Sequence, residues 1–227
     1  MGQQPLIAQR DSWGRFKQNI ARLTIEALLI LREKTELARD EPTLNRTLAL
    51  CFVEANLRLG LDYQPALDAK IFPHSYDEEK SENNIPDLSW NITDHIERCN
   101  RNFALECKRL GKPSSRTWVL NKQYIKEGIL RFFKEEEGYS KGCELGAMVG
   151  YIQDMDFEEI LCEVNRHITT FELSIPTLAA PIEGWQSQSI SYLSHSFNRS
   201  FAPSLFTLDH YWVDVRDLYS NSQDQVD

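Results

Sequence analysis

No two of the five cysteines stand in a CxxC pair; Cys51, Cys99, Cys107, Cys143 and Cys162 are scattered and odd in number. That argues against a disulfide framework and a zinc knuckle, and leaves reduced, mostly buried thiols as the expectation. No apolar run approaches the ~18 residues that a membrane-spanning helix requires. The nearest candidate, Ala27 to Leu31, is short and has Glu26, Arg32 and Glu33 around it. The opening Met-Gly-Gln-Gln-Pro lacks the basic start and apolar stretch of a secretory signal, so a cytoplasmic protein with no membrane association is expected. A serine hydrolase is disfavoured because no G-x-S-x-G elbow occurs. His74, His95, His167, His195 and His210 show no metal-ligand spacing, so all five read as structural or surface residues.

A basic surplus is missing as well. Lys and Arg number 25 against 34 Asp and Glu, for a net charge of −9. Phosphate neutralisation supplies most of the grip of a free-standing nucleic-acid binder. Any such binding here must rely on a local basic cluster, on bound divalent metal, or on a partner subunit.

What is present is an ordinary globular balance, 41% hydrophobic and 26% charged over 227 residues, enough for a sizeable core. Phe16, Ile20, Leu23, Ala27, Ile30 and Leu31 predict a first helix, capped by Asp11 or Ser12, with Arg32 to Asp40 as its solvated end. Pro42 suits the first turn of a second helix, whose apolar face is Leu44, Leu48, Cys51, Phe52, Ala55 and Leu59 and whose stop is Gly60. Residues 61–85 read as irregular structure. Strands are expected at 87–92 and 102–110, a helix at 122–137, a strand at 147–152, and a helix capped by Asp154 or Asp156 with Phe157, Ile160, Leu161, Val164 and Ile168 inside. Two final strands follow, at 190–197 and 206–213. This order predicts an α/β fold with a mixed central sheet flanked by helices. Residues 1–40 form a helical extension, 41–219 the main domain and 220–227 a polar tail.

Chemistry concentrates on Asn102-Phe103-Ala104-Leu105-Glu106-Cys107-Lys108-Arg109-Leu110. In an extended chain Glu106 and Lys108 share a face, ~7 Å apart, opposite Phe103, Leu105 and Cys107. Leu110 breaks that alternation, so a bend is expected at the strand's end. Charges inside an otherwise apolar strand are costly unless paired or bound to metal. The bare acid-x-Lys spacing also occurs at Asp68/Lys70 and Glu78/Lys80, in polar, proline-marked surroundings. Only Glu106 and Lys108 have the strand setting, with Asp87 at the mouth of the preceding strand.

Pro86-Asp87 followed by Glu106-Cys107-Lys108 resembles the PD-(D/E)XK, or restriction-endonuclease-like, nuclease superfamily. The likeness covers roughly residues 41–170 in order of elements. The Cys-Lys-Arg-Leu-Gly continuation and the stretch from Tyr124 to Phe132 are similar to small nucleases of bacterial defence systems. The resemblance implies Mg²⁺-dependent hydrolysis of phosphodiester bonds in DNA, with Mn²⁺ as a substitute metal, by an effector of anti-phage defence. Asp87, Glu106 and the Cys107 backbone carbonyl would hold the metal, and Lys108 would orient or help deprotonate a water. An acid on the leading helix would join them, either Glu41, which precedes Leu44-Asn45-Arg46-Thr47-Leu48, or Glu54. Lys112, Arg116, Lys122, Gln123, Tyr124 and Arg131 are the candidate nucleic-acid contacts. The alternative is a nuclease-fold subunit without catalysis, using its N-terminal helix to dock a partner or a second copy.

Overall fold

Phe16, Ile20, Leu23, Ala27, Ile30 and Leu31 all lie buried along one side of α1 (Ser12–Arg32). The computed structural model describes residues 12–69, 85–94, 99–135, 138–171 and 174–219. Asp11, Lys70, the Glu78/Lys80 pair, His74, His95 and the tail from 220 therefore lie outside the described residues. After Arg32 the chain leaves the helix, and 33–40 is a connection rather than a helical end, with Leu37 buried. Asp40 then caps α2 (Glu41–Leu59), its carboxylate accepting from the Thr43 amide at 2.9 Å, with Pro42 in the first turn. Gly60 ends the helix in the left-handed region, at φ 64°.

Six strands form one open, mixed sheet in the order β1-β2-β3-β4-β6-β5. They are β1 (Ala66–Leu67), β2 (Leu88–Asp94), β3 (Cys99–Leu110), β4 (Leu145–Ile152), β5 (Ile190–Asn198) and β6 (Leu205–Asp214). The β2–β3 hairpin is antiparallel, β3–β4 and β4–β6 are parallel, and β5 closes antiparallel on β6. Between β3 and β4 runs a helix in three parts: α3 (Leu120–Tyr124), a π-helical turn (Ile125–Ile129) and α4 (Leu130–Phe133). It ends four residues before the sequence suggested, because Lys134 is already extended. α5 (Phe157–Thr170) starts from a capping box between Asp156 and Glu159. The short β1, inside what reads as an irregular segment, is the one strand the pattern missed.

Helices cover both faces. α1 and α2 pack on Phe103, Leu105, Cys107, Val149, Tyr151 and Val213; the later helices pack on Ala104, Leu110, Met148, Ile152, Leu208 and Trp212. The apolar stripe of α1 is thus taken up by this chain's own core. Leu110 corrects one expectation. β3 pairs regularly with β4 through Leu110, so it does not bend there; Leu110 belongs to the same face as Glu106 and Lys108. Both faces of β3 are covered, as in parallel sheets.

Gly146 shows how tightly the second layer fits. A Cβ there would stand 2.7 Å from Phe132 Cε1 and 2.8 Å from Phe206 Cζ, both rings fully buried. Gly146→Ala should therefore lower stability by roughly 1–3 kcal/mol through overpacking. Thermal unfolding checks it; an unchanged Tm would mean that the aromatic layer yields.

Candidate active site

The hairpin leaves β3 longer than its neighbour. β2 begins at Leu88, opposite Leu105, so residues of β3 beyond that point have no antiparallel partner. Carboxylates take over there. Asp87 Oδ2 accepts from the Cys107 amide at 2.7 Å, and Glu41 Oε2 accepts from the Arg109 amide at 3.3 Å. The same edge frees the Cys107 carbonyl, which accepts from Lys108 Nζ at 2.8 Å.

Lys108 Nζ is the point on which the cluster converges. It lies 2.8 Å from Glu106 Oε1, 2.9 Å from Glu41 Oε1 and 3.7 Å from Asp87 Oδ2. Glu106 is 1% exposed and Lys108 8%, so this is no solvated surface pair. Arg131 Nη1 reaches Glu106 Oε1 at 3.4 Å and Tyr139 Oη at 2.7 Å. Tyr139 in turn donates to the Ile85 carbonyl at 2.6 Å, which holds the approach to Asp87. Glu106 Oε2 is buried and, among the described residues, has no hydrogen-bond partner.

Three carboxylates face two cations here, and burial shows in the titration of two of them, Glu106 and Asp87. Burial first, and then the Asp87 charge, push Glu106 up to about 7. Burial also raises Asp87, against the pull of Lys108 and the Cys107 amide. Burial opposes the Lys108 charge, but Glu106, Asp87 and Glu41 outweigh it and hold the ammonium protonated.

The expected core residues are therefore together. Glu41, at the first position of α2, joins Asp87, Glu106 and Lys108; Glu54 is held by Arg58 at 2.6 Å on the exposed side of the same helix. A cleft of about 250 Å³ opens beside the cluster, between Glu41, Lys108 and Arg109 and the side chains of Trp118, Gln123 and Arg131. Lys112, Arg116 and Lys122 are exposed nearby in sequence but do not line it.

The chain matches no family model, no curated protein and no solved structure. What it can do has to be argued from these side chains.

Tyr124 departs from its expected role as a nucleic-acid contact. It is fully buried; its hydroxyl accepts from Trp212 Nε1 at 3.1 Å and lies 2.6 Å from His210 Nδ1. The helix turns that side chain into the core, while Gln123 faces the cleft. Four residues that line the cleft were not among the expected contacts: Arg109, Leu120, Glu127 and Trp118. A lone tryptophan in the polar loop 111–119 was the available signal for the last.

Do these residues suit a divalent metal? Among the described residues no group of three or more acidic, histidine or cysteine side chains is placed to hold a metal ion as it stands. The point that Glu41, Asp87, Glu106 and the Cys107 carbonyl share is taken by the Lys108 ammonium. All four donors are hard oxygens, their charge exceeds that of their cations, and Glu106 Oε2 is unpartnered. Such a set fits Mg²⁺, which prefers few carboxylates and keeps several waters.

Proposed function

We propose that this protein is a Mg²⁺-dependent nuclease of the restriction-endonuclease-like kind, hydrolysing phosphodiester bonds in DNA. The observation that carries the reading is the convergence of three carboxylates and one backbone carbonyl on a single buried cation. The resemblance of the Pro86-Asp87 and Glu106-Cys107-Lys108 motifs, the first immediately before β2 and the second on β3, supports the same family. Its likeness to small defence nucleases extends the proposal to an anti-phage effector.

Glu41, Asp87, Glu106 and the Cys107 carbonyl would hold the metal. When bound, Mg²⁺ would polarise the phosphate and lower the pKa of an attacking water. Lys108, kept charged by its neighbours, would move off the centre of the carboxylates and stand beside it, to orient the water and stabilise developing negative charge. Arg131, between Glu106 and the cleft, would steady a phosphate oxygen.

Plasmid cleavage tests this. The protein with Mg²⁺ should nick or linearise the plasmid, and Glu106→Ala and Lys108→Ala should each lose at least about 100-fold in rate. Cleavage that survives either change overturns the assignment.

A second reading is a nuclease-fold subunit that binds a partner without catalysis. The observation favouring it is that Lys108 already fills the place a metal would take. It predicts no Mg²⁺-dependent cleavage and stable co-purification with another protein.

A further inference from the structure

Trp118 is the one exposed tryptophan of the five, at 47%, and it stands on the wall of the cleft that opens beside Lys108. Trp13, Trp90, Trp185 and Trp212 all pack against other rings; among the described residues no ring faces Trp118. Its backbone, by contrast, is fixed. The Trp118 carbonyl accepts from the Ser114 amide at 3.0 Å, and its amide donates to Ser115 Oγ at 3.1 Å. The loop is anchored at its start by the Gly111 amide on Asn121 Oδ1 at 3.0 Å. An exposed ring on a hydrogen-bonded backbone is a contact surface whose backbone has little ordering left to lose.

Across the cleft stand polar groups that suit a nucleotide. Among the described residues Gln123 Oε1 is buried without a hydrogen-bond partner, and Arg109 and Arg131 bring positive charge to the same space. Lys112 and Arg116 extend exposed from the loop that carries Trp118.

We infer that this cleft receives an unpaired base stacked on Trp118, which makes unpaired stretches of nucleic acid, in a single strand or opened in a supercoiled plasmid, the substrate class of the site. The inference rests on the nuclease reading above and deepens it. Stacking on an aromatic side chain is worth roughly five- to a hundred-fold in affinity per base when the base is free. A paired base must first leave its stack, at a cost that consumes most of that gain. The net charge of −9 offers a duplex little long-range attraction to offset the difference. A single strand, with its base faces already available, avoids the unstacking cost and carries the lower charge density of the two.

Tryptophan emission reads the contact directly. The whole protein is titrated with a short oligothymidylate and with a blunt two-strand DNA duplex, in Ca²⁺ in place of Mg²⁺ to slow turnover. The oligothymidylate should quench the emission and bind at least about tenfold tighter than the duplex. Trp118→Ala should remove the quench and weaken binding by about tenfold, and Trp118→Phe, which keeps a π-face, should recover most of the affinity. Equal binding of the duplex overturns the inference. So does a Trp118→Ala protein that binds the oligothymidylate as the wild type does, including one in which only self-association has changed. Quenching that depends on Trp118, without any Mg²⁺-dependent cleavage, would keep the single-strand inference and sink the nuclease reading. Cleavage indifferent to Trp118 and to strandedness would do the reverse.

Discussion

Lys108→Met should destabilise the metal-free protein by about 3–5 kcal/mol, because it leaves buried carboxylates without their shared counter-charge. Methionine keeps most of the stem's volume, so the loss is electrostatic rather than a cavity. Urea denaturation at pH 8 is the suitable measurement. There, protonation of Glu106, already pushed up to about 7 by burial and by Asp87, gives least relief. Millimolar Mg²⁺ should then return most of the lost stability, since a divalent ion takes the place of the ammonium. Cleavage should stay depressed by about 10²–10⁴-fold even with metal bound, because the residue proposed to orient the water is gone. A purely structural ion pair would show the loss without the rescue. This outcome separates the two readings of the cluster more sharply than activity alone.

His195→Phe should stabilise the protein, and more so in acid. Among the described residues neither ring nitrogen of His195 has a partner, though the side chain is buried beside Phe197 and His210. Burial holds His195 down to about 4, against about 6.5 in an unfolded chain. Between those values the unfolded state binds a proton that the folded state does not, so folding stability falls as pH falls. The deficit is absent well above 6.5, reaches ~2 kcal/mol by pH 5, and stops growing once pH passes below about 4. Replacing the imidazole removes this term and the unpartnered nitrogens, worth a further ~1–3 kcal/mol at all pH values. His210, buried more deeply, is lowered by burial and by His195, but Tyr124 gives its Nδ1 a partner, so it is the poorer site for the change. Denaturation of both proteins at pH 8 and pH 5 checks the sign. A smaller difference at pH 5 than at pH 8 would contradict the account.

Most elements could be read from periodicity, since each helix keeps one apolar face and each long strand is bounded by turn residues. Two features escaped that pattern for physical reasons. β1 is two residues long and owes its strand character to its pairing with β2 at the sheet's edge, which no local pattern encodes. The helix after β3 contains a π turn centred near Gly128, where a Cβ would meet the Met148 methyl at 2.3 Å; that packing is tertiary. In the site, Asp87, Glu106 and Lys108 stood out because charges in apolar strands demand a reason. Glu41 was ambiguous with Glu54, since both lie on α2. Only the fold shows that the helix N-terminus reaches the free edge of β3 while Glu54 is engaged by Arg58. Tyr124 misled because neighbouring helical residues diverge by about 100°, and the sequence does not show which one faces the cleft.

No described helix is long and apolar enough to cross a membrane. Of the five cysteines, Cys51, Cys107 and Cys143 are buried, Cys99 is half-buried and Cys162 is exposed, and all are free thiols. Neither finding bears on the carboxylate cluster, where the central claim lies.

That claim is that Glu41, Asp87, Glu106 and the Cys107 carbonyl form a divalent-metal site which Lys108 occupies in the ion's absence. A crystal structure of the protein soaked in Mn²⁺ tests it most directly. An anomalous peak among those four oxygens, with the Lys108 ammonium displaced from its centre, is the predicted result. Lys108 still seated on Glu41 and Glu106 with no peak between them, at a Mn²⁺ concentration well above millimolar, would contradict it.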